Sequence, residues 1–123
     1  GKGVETRKAA GKIARLEAAL AAEPVHGTMG IAHTRWATHG PPTTTNAHPH
    51  TDEKTEVALV HNGIIENATA LRTLLEQTGH VFTSETDTEV LAHLIESAYD
   101  GVLEDAVMEA LHHVDGTYGI AVV

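Results

Sequence analysis

The polar side chains best suited to chemistry lie in one stretch, residues 31–50, with the sequence IAHTRWATHGPPTTTNAHPH. Its proline and polar content predicts a loop between two apolar, strand-like segments. Functional residues are often found on loops that a rigid scaffold positions. Arg35 follows the first apolar segment, where its planar guanidinium can bind a carboxylate through two parallel hydrogen bonds. A surface ion pair is the alternative interpretation of this residue.

The histidines of this stretch raise the question of a metal. Three imidazoles with an open coordination position are typical of catalytic zinc, and His39, His48 and His50 supply that number. Their spacing is not diagnostic, and no nearby glutamate completes a zinc-protease motif. We therefore assign no metal, although a His-rich metal-binding module stays open as an alternative. Hydrogen bonding to the loop backbone is the more usual role for each histidine.

Two further groups of polar residues lie outside the stretch. Asn62-Gly63 follows the strand-like run VALVH and is typical of a hairpin turn. Its side-chain and backbone N–H groups can also form an oxyanion hole, which stabilises negative charge developing on a carbonyl oxygen. Asp87 lies in the first turn of a predicted helix. There it either stabilises the helix dipole or binds a substrate ammonium group.

The elements that must position these residues follow from the apolar periodicity and the breakers. Helices are predicted over residues 11–22, 68–78, 87–98 and 103–114, the third opened by a capping box from Thr86 to Glu89. Strands are predicted over residues 27–34, 56–61, 81–83 and 117–123, with a further edge strand over residues 4–8. Gly63 is expected to end the second of these, and Gly79 to close the second helix. We expect one α/β domain, truncated at both ends because it begins without methionine and stops inside a strand.

Composition excludes several classes of protein. The chain has 123 residues, the length of about one domain, and no cysteine, which excludes disulfides, thiolate metal sites and a cysteine nucleophile within it. Its net charge of −9 disfavours nucleic-acid binding. No apolar run approaches the roughly 20 residues of a membrane span, and no signal peptide opens the chain. We expect a cytoplasmic protein.

Four motifs, AHTRWATHG, NAHPH, VHNGIIEN and SETDTEV, resemble in order and separation the glutaminase domain of the glutamine–fructose-6-phosphate aminotransferases (glucosamine-6-phosphate synthases). The resemblance covers essentially the whole chain. It implies an α+β fold of the N-terminal-nucleophile hydrolase class, an αββα four-layer sandwich with antiparallel sheets, of which residues 1–123 would be a part. It also implies glutamine hydrolysis and delivery of ammonia to a sugar-isomerase domain that aminates fructose 6-phosphate. It implies no cofactor, and the full protein would be a homodimer.

The resemblance also implies a role for each motif residue. Asn62 and Gly63 would form the oxyanion hole, and Asp87 would bind the α-ammonium group of glutamine. The carboxylate end of the substrate would be held or flanked by Arg35, Trp36, Thr38 and His39. The nucleophile of the family is an N-terminal cysteine, which this chain lacks, so we expect the chain alone to be inactive. A non-catalytic glutamine- or glutamate-binding module is therefore an alternative.

Overall fold

A computed structural model describes residues 3–35 and 40–123 of the chain. Trp36, Thr38 and His39, three of the predicted substrate-binding residues, lie outside the described residues, so their roles stay predictions. The elements in chain order are α1 (Ile13–Ala22), β1 (His50–Thr51), β2 (Ala58–Ile65), α2 (Ala68–Gln77), α3 (Asp87–Ala98), α4 (Leu103–Leu111) and β3 (Gly116–Val122). None of the helices in the described part of the chain is long and apolar enough to cross a membrane.

The sheet is antiparallel and has the order β1-β2-β3, so β2 is its central strand. β2 pairs with β3 from Leu59 opposite Val122 to Ile65 opposite Gly116. The core lies between the sheet and helices α2, α3 and α4, and α3 contacts both β2 and α4. Its largest fully buried apolar side chains are Leu59, Ile65, Leu91, Ile95 and Val90. Burying these side chains holds the start of α3 against β2.

The predicted helices are confirmed, with differences at their ends. Thr86 caps α3, where its hydroxyl accepts a hydrogen bond from the Glu89 backbone N–H at 3.4 Å. The Glu89 carboxylate does not return that bond, because it accepts instead from the N–H groups of Thr83 and Ser84. Gly79 follows α2 with φ +99°, as expected for a residue that closes a helix. The helix α1 forms as predicted, but none of its residues is buried.

Three predicted strands are wrong, because among the described residues none of them forms a ladder of backbone hydrogen bonds with another strand. No backbone hydrogen bond there joins residues 27–34 to another strand, and residues 27–30 are exposed. In the segment 81–83, side-chain carboxylates replace the neighbouring strand: Val81 N–H donates to Glu53 and Thr83 N–H donates to Glu89. Among the described residues, the segment 4–8 makes a single backbone hydrogen bond to another segment, from Val4 N–H to Thr55 O at 2.8 Å.

Gly63 does not end β2, contrary to the prediction. The strand continues through Asn62 and Gly63 to Ile65, so this dipeptide is not a hairpin turn. Gly63 has φ +130°, and a Cβ atom at this position would overlap the carbonyl oxygen of Thr117 on β3. Glycine is required here because it alone tolerates both the backbone angle and the close approach of the neighbouring strand.

Candidate functional site

One open cleft of about 370 Å³ brings together the loop 31–50, the middle of β2 and the start of α3. It is lined by all four predicted site residues that the structure describes: Arg35, Asn62, Gly63 and Asp87. Among its described lining residues, Arg35 is the one arginine and Asp87 the one acid, and no lysine is present. A fixed cation and a single carboxylate facing one cleft suit a zwitterion, whose two charged groups each need a partner.

Asn62 is oriented by a histidine that the sequence did not single out. The ring of His33 contacts the Asn62 side-chain oxygen, with Nε2 and Oδ1 2.6 Å apart. An amide oxygen can only accept, so Nε2 of His33 carries the hydrogen and donates it. This bond fixes which way the amide faces and leaves both N–H groups of Nδ2 for another acceptor. His33 is therefore a positioning residue for Asn62.

The backbone N–H of Gly63 lies on the edge of β2 that faces away from β3. Ala58 and Val123 exchange two backbone hydrogen bonds of 2.9 Å across the strand pair. Such pairs alternate along an antiparallel ladder, so Asn62 forms one with Gly119 and Gly63 does not form one with Tyr118. The Ile65 N–H, two residues further, lies on that same outer edge and donates to Asp87 Oδ2 at 2.9 Å. The Gly63 N–H is thereby available to an acceptor in the cleft.

Asp87 is held by contacts that also position the helix it begins. Its side chain is buried, and the bond from Ile65 N–H ties the first turn of α3 to β2. A carboxylate in the first turn of a helix is stabilised by the helix dipole. Asp87 therefore serves the fold, and it lines the cleft at the same time.

The Arg35 guanidinium is directed by carbonyl groups of the loop that follows it. Nη1 donates to Pro41 O at 3.0 Å and Nη2 donates to Gly40 O at 3.2 Å. The same Pro41 oxygen accepts from the buried Asn46 side chain at 3.0 Å, and the Asn46 oxygen accepts from Glu85 N–H at 2.9 Å. This network connects the loop to the segment before α3. It orients Arg35 in the cleft.

Two histidines of the loop, His48 and His50, are neutral at pH 7. Burial, followed by the neighbouring His33, lowers the pKa of His48 to about 3. Burial and then the charge of Lys8 lower the pKa of His50 to about 4. His48 Nε2 contacts the Thr88 hydroxyl and His50 Nε2 contacts the Thr86 hydroxyl, each at 3.0 Å. The rings of His48 and His50 are therefore uncharged hydrogen-bonding groups within the protein.

The zinc alternative raised for His39, His48 and His50 finds no support at the two described histidines. No group of metal-ligating atoms in the described part of the chain includes His48 or His50, and His39 lies outside that part. The contacts with Thr86 and Thr88 already use one nitrogen of each ring.

Comparison with known proteins gives consistent matches. A family model for the glutamine amidotransferase domain matches residues 33–123. Curated proteins named glutamine–fructose-6-phosphate aminotransferase (isomerizing) are similar along the chain. The one from Thermus thermophilus is 53% identical over 121 residues, which is 98% of this chain and 20% of the relative. The one from Thermotoga maritima is 63% identical over 95 residues, 77% of this chain and 16% of the relative. The chain thus spans about a fifth of the length of the curated relatives it matches.

Solved structures resemble the same region. The glutamine phosphoribosylpyrophosphate amidotransferase from B. subtilis matches with a TM-score of 0.62 and 35% identity, over 74% of this chain and 20% of that one. A structure described as the allosteric regulatory enzyme of purine biosynthesis matches with a TM-score of 0.64 and 36% identity, over the same shares. The matched part of this chain therefore has the same fold as these two structures.

Proposed function

Because this chain belongs to the glutamine amidotransferase domain family, we propose that residues 1–123 form the glutamine-binding part of a glutaminase domain. Membership confirms the predicted fold class, the α+β fold of N-terminal-nucleophile amidotransferases. The described residues contain one antiparallel sheet of that fold, together with the helices that cover it.

The observation that carries the proposal is that one cleft is lined by a cation, a carboxylate and two hydrogen-bond donors that match the groups of glutamine. The α-carboxylate of glutamine binds Arg35, and its α-ammonium group binds Asp87. The side-chain carbonyl oxygen meets the donors of Asn62 Nδ2 and Gly63 N–H, whose interaction strengthens as that oxygen gains negative charge. We extend the carboxylate end of the site to Trp36, Thr38 and His39, on the strength of the family motif.

For the whole protein we propose hydrolysis of glutamine and transfer of the ammonia to a sugar-isomerising domain, where fructose 6-phosphate becomes glucosamine 6-phosphate. The curated relatives are named as isomerizing aminotransferases of glutamine and fructose 6-phosphate, which supports this assignment. A cytoplasmic homodimer is part of the same proposal. Since the chain contains no cysteine, the nucleophile comes from outside these residues, and this chain alone binds glutamine without hydrolysing it.

Asp87→Asn tests the ammonium-binding role. In the enzyme that contains this segment, we expect the KM for glutamine to rise about 10-fold to 100-fold, because a charged hydrogen bond contributes about 1.5–3 kcal/mol. The value of kcat should change much less, since the ammonium charge is present from the first encounter. The asparagine oxygen can still accept from Ile65 N–H, so the fold is retained.

The matched control for Asp87→Asn is Asp105→Asn, which neutralises an exposed acid in the first turn of α4. It should leave both kinetic constants unchanged. Equal effects of the two variants, or a KM unaffected by Asp87→Asn, would remove Asp87 from the ammonium site.

Arg35→Lys tests the carboxylate-binding role. We expect kcat/KM for glutamine to fall by about 10-fold or more, because lysine keeps the charge but loses the planar, two-pronged donor geometry. The substitution also removes the bonds that orient the side chain on the carbonyls of Gly40 and Pro41. The measurement is steady-state glutamate release, with Arg15→Lys on exposed α1 as control. Unchanged kinetics for Arg35→Lys would contradict the assignment.

A further inference from the structure

Four side chains that could each give one ligand atom to a metal converge away from the cleft, where the loop between β1 and β2 meets the segment before α3. They form what we call the acid–imidazole cluster: Glu53, His80, His93 and Glu96. One nitrogen or oxygen atom from each lies within 4.8 Å of the corresponding atoms of the other three. His93 is buried and Glu53 is exposed, so the cluster extends from the core to the surface.

His80 directs one ring nitrogen, Nδ1, into the cluster. Its Nε2 lies 3.0 Å from the Ser97 hydroxyl, which itself donates to the carbonyl of His93 at 3.0 Å. Because the one hydroxyl hydrogen is used on that carbonyl, Ser97 accepts from Nε2–H of His80. In the neutral ring the other nitrogen, Nδ1, then carries a lone pair. It points between two carboxylates, 3.6 Å from an oxygen of Glu53 and 3.6 Å from an oxygen of Glu96.

His93 repeats this arrangement in the core. Its Nε2 lies 3.4 Å from the Glu89 carboxylate, which also accepts hydrogen bonds from the backbone N–H groups of Thr83 and Ser84. A carboxylate oxygen accepts, so Nε2 of His93 carries a hydrogen and donates it to Glu89. Its Nδ1 is buried and has no hydrogen-bond partner, and the same is true of Oε2 of Glu96.

The distances within the cluster are too long for hydrogen bonds and suit a shared metal ion. His93 Nδ1 lies 3.6 Å from Glu96 Oε2 and 3.9 Å from Glu53 Oε1, beyond the normal range of N–H···O bonds. Ligands at the usual Zn–N and Zn–O distances of about 2.0–2.1 Å stand about 3.3–3.4 Å apart at the corners of a tetrahedron. The four histidine–carboxylate separations exceed this spacing by about 0.2–0.6 Å, and all four atoms lie within 4.8 Å of one another, so they can surround one ion if the side chains move inward.

We propose that the acid–imidazole cluster is a structural zinc site with two imidazole and two carboxylate ligands. A proton or a metal ion between these atoms relieves the repulsion of their lone pairs, and among metal ions this mixture of nitrogen and oxygen ligands favours Zn²⁺ over Mg²⁺. The Glu89–His93 contact is the carboxylate–histidine pair that orients metal-bound imidazoles in proteins. The ion joins the β1–β2 loop to α3 and to the segment before it. The inference does not depend on the glutaminase assignment.

The test is a zinc titration of the purified protein after removal of metal with a chelator. Isothermal titration calorimetry should show one equivalent of Zn²⁺ bound, and Mg²⁺ should not bind. Substituting Co²⁺ should produce the visible absorption bands of tetrahedral coordination. Saturating Zn²⁺ should raise Tm by about 5 °C or more, because a ligand that binds the folded state stabilises it.

His80→Gln and Glu96→Gln should each abolish the one-equivalent binding and the rise in Tm. Neither residue is fully buried, so these variants keep the test valid if His93→Gln does not fold. The matched control is the double variant His112→Gln/His113→Gln, which removes two exposed histidines beside Glu109 at the end of α4. It should bind zinc as the wild type does. The proposal is overturned if no zinc binds, if either cluster variant binds normally, or if the control loses binding.

Discussion

Asn62→Ala in the glutamine-hydrolysing enzyme is expected to lower kcat by about 10²-fold to 10³-fold, with little change in the KM for glutamine. The carbonyl oxygen of glutamine is neutral when the substrate binds and gains charge only when the nucleophile adds. A donor directed at that oxygen therefore stabilises the transition state more than the bound substrate. Single-turnover measurement of glutamate formation reports the affected step.

His33→Ala supplies the graded control for this prediction. It removes the bond to Oδ1 that fixes the Asn62 amide but keeps the amide itself, so kcat should fall by less than in Asn62→Ala. In the double variant the two losses should not add, because they act through one donor. A raised KM with normal kcat in Asn62→Ala would show that Asn62 shapes the pocket and does not bind the oxyanion.

Gly63→Ala is expected to destabilise the protein by about 3 kcal/mol or more, the range of the most damaging single substitutions. Two costs combine at this position. Alanine is strained at φ +130°, and its Cβ would overlap the Thr117 carbonyl oxygen on β3. The β2–β3 pair must separate to make room, which weakens the central strand of the sheet. Thermal or chemical unfolding of the enzyme measures the loss.

Alanine substitutions at two other glycines distinguish the cost of backbone strain from the cost of steric overlap. Gly79 has φ +99° but open space around its missing side chain, so Gly79→Ala should cost about 1 kcal/mol from strain alone. Gly119 on β3 meets nothing within 4 Å and has no unusual φ, so Gly119→Ala should be nearly neutral. If Gly63→Ala were no worse than Gly79→Ala, the close contact with β3 would be irrelevant to stability.

The sequence predicted most of the helical half of the fold, because periodicity and capping are local signals. The Thr86 cap and the apolar positions of α3 and α4 needed no knowledge of distant residues. Strands were harder to predict, since a strand exists only if another segment pairs with it. Residues 27–34 have the composition of a strand but no partner among the described residues. Gly63 was wrongly predicted to end β2, because the reason for a glycine there is the close approach of Thr117 on another strand.

The same distinction applies to the candidate site and the proposed zinc site. The sequence motifs predicted Arg35, Asn62, Gly63 and Asp87 as site residues, and in the structure all four line one cleft. The part played by His33 depends on a single contact with a residue 29 positions away, which no local pattern reveals. The acid–imidazole cluster joins residues from Glu53 to Glu96 across three segments, so its geometry exists only in the folded chain.

The close approach at Gly63 has a consequence for how the strands find their alignment. Gly116 on β3 makes the reciprocal contact, since a side chain there would overlap the carbonyl oxygen of Ile64. If β2 slid by one residue against β3, Asn62 or Ile64 would take the place of Gly63, and a residue with a Cβ atom is strained in that backbone conformation. Gly63 and Gly116 therefore favour a single register of β2 against β3. Gly63 also carries the backbone N–H donor proposed for the oxyanion hole. A misaligned β2 would therefore also lose this donor from the cleft.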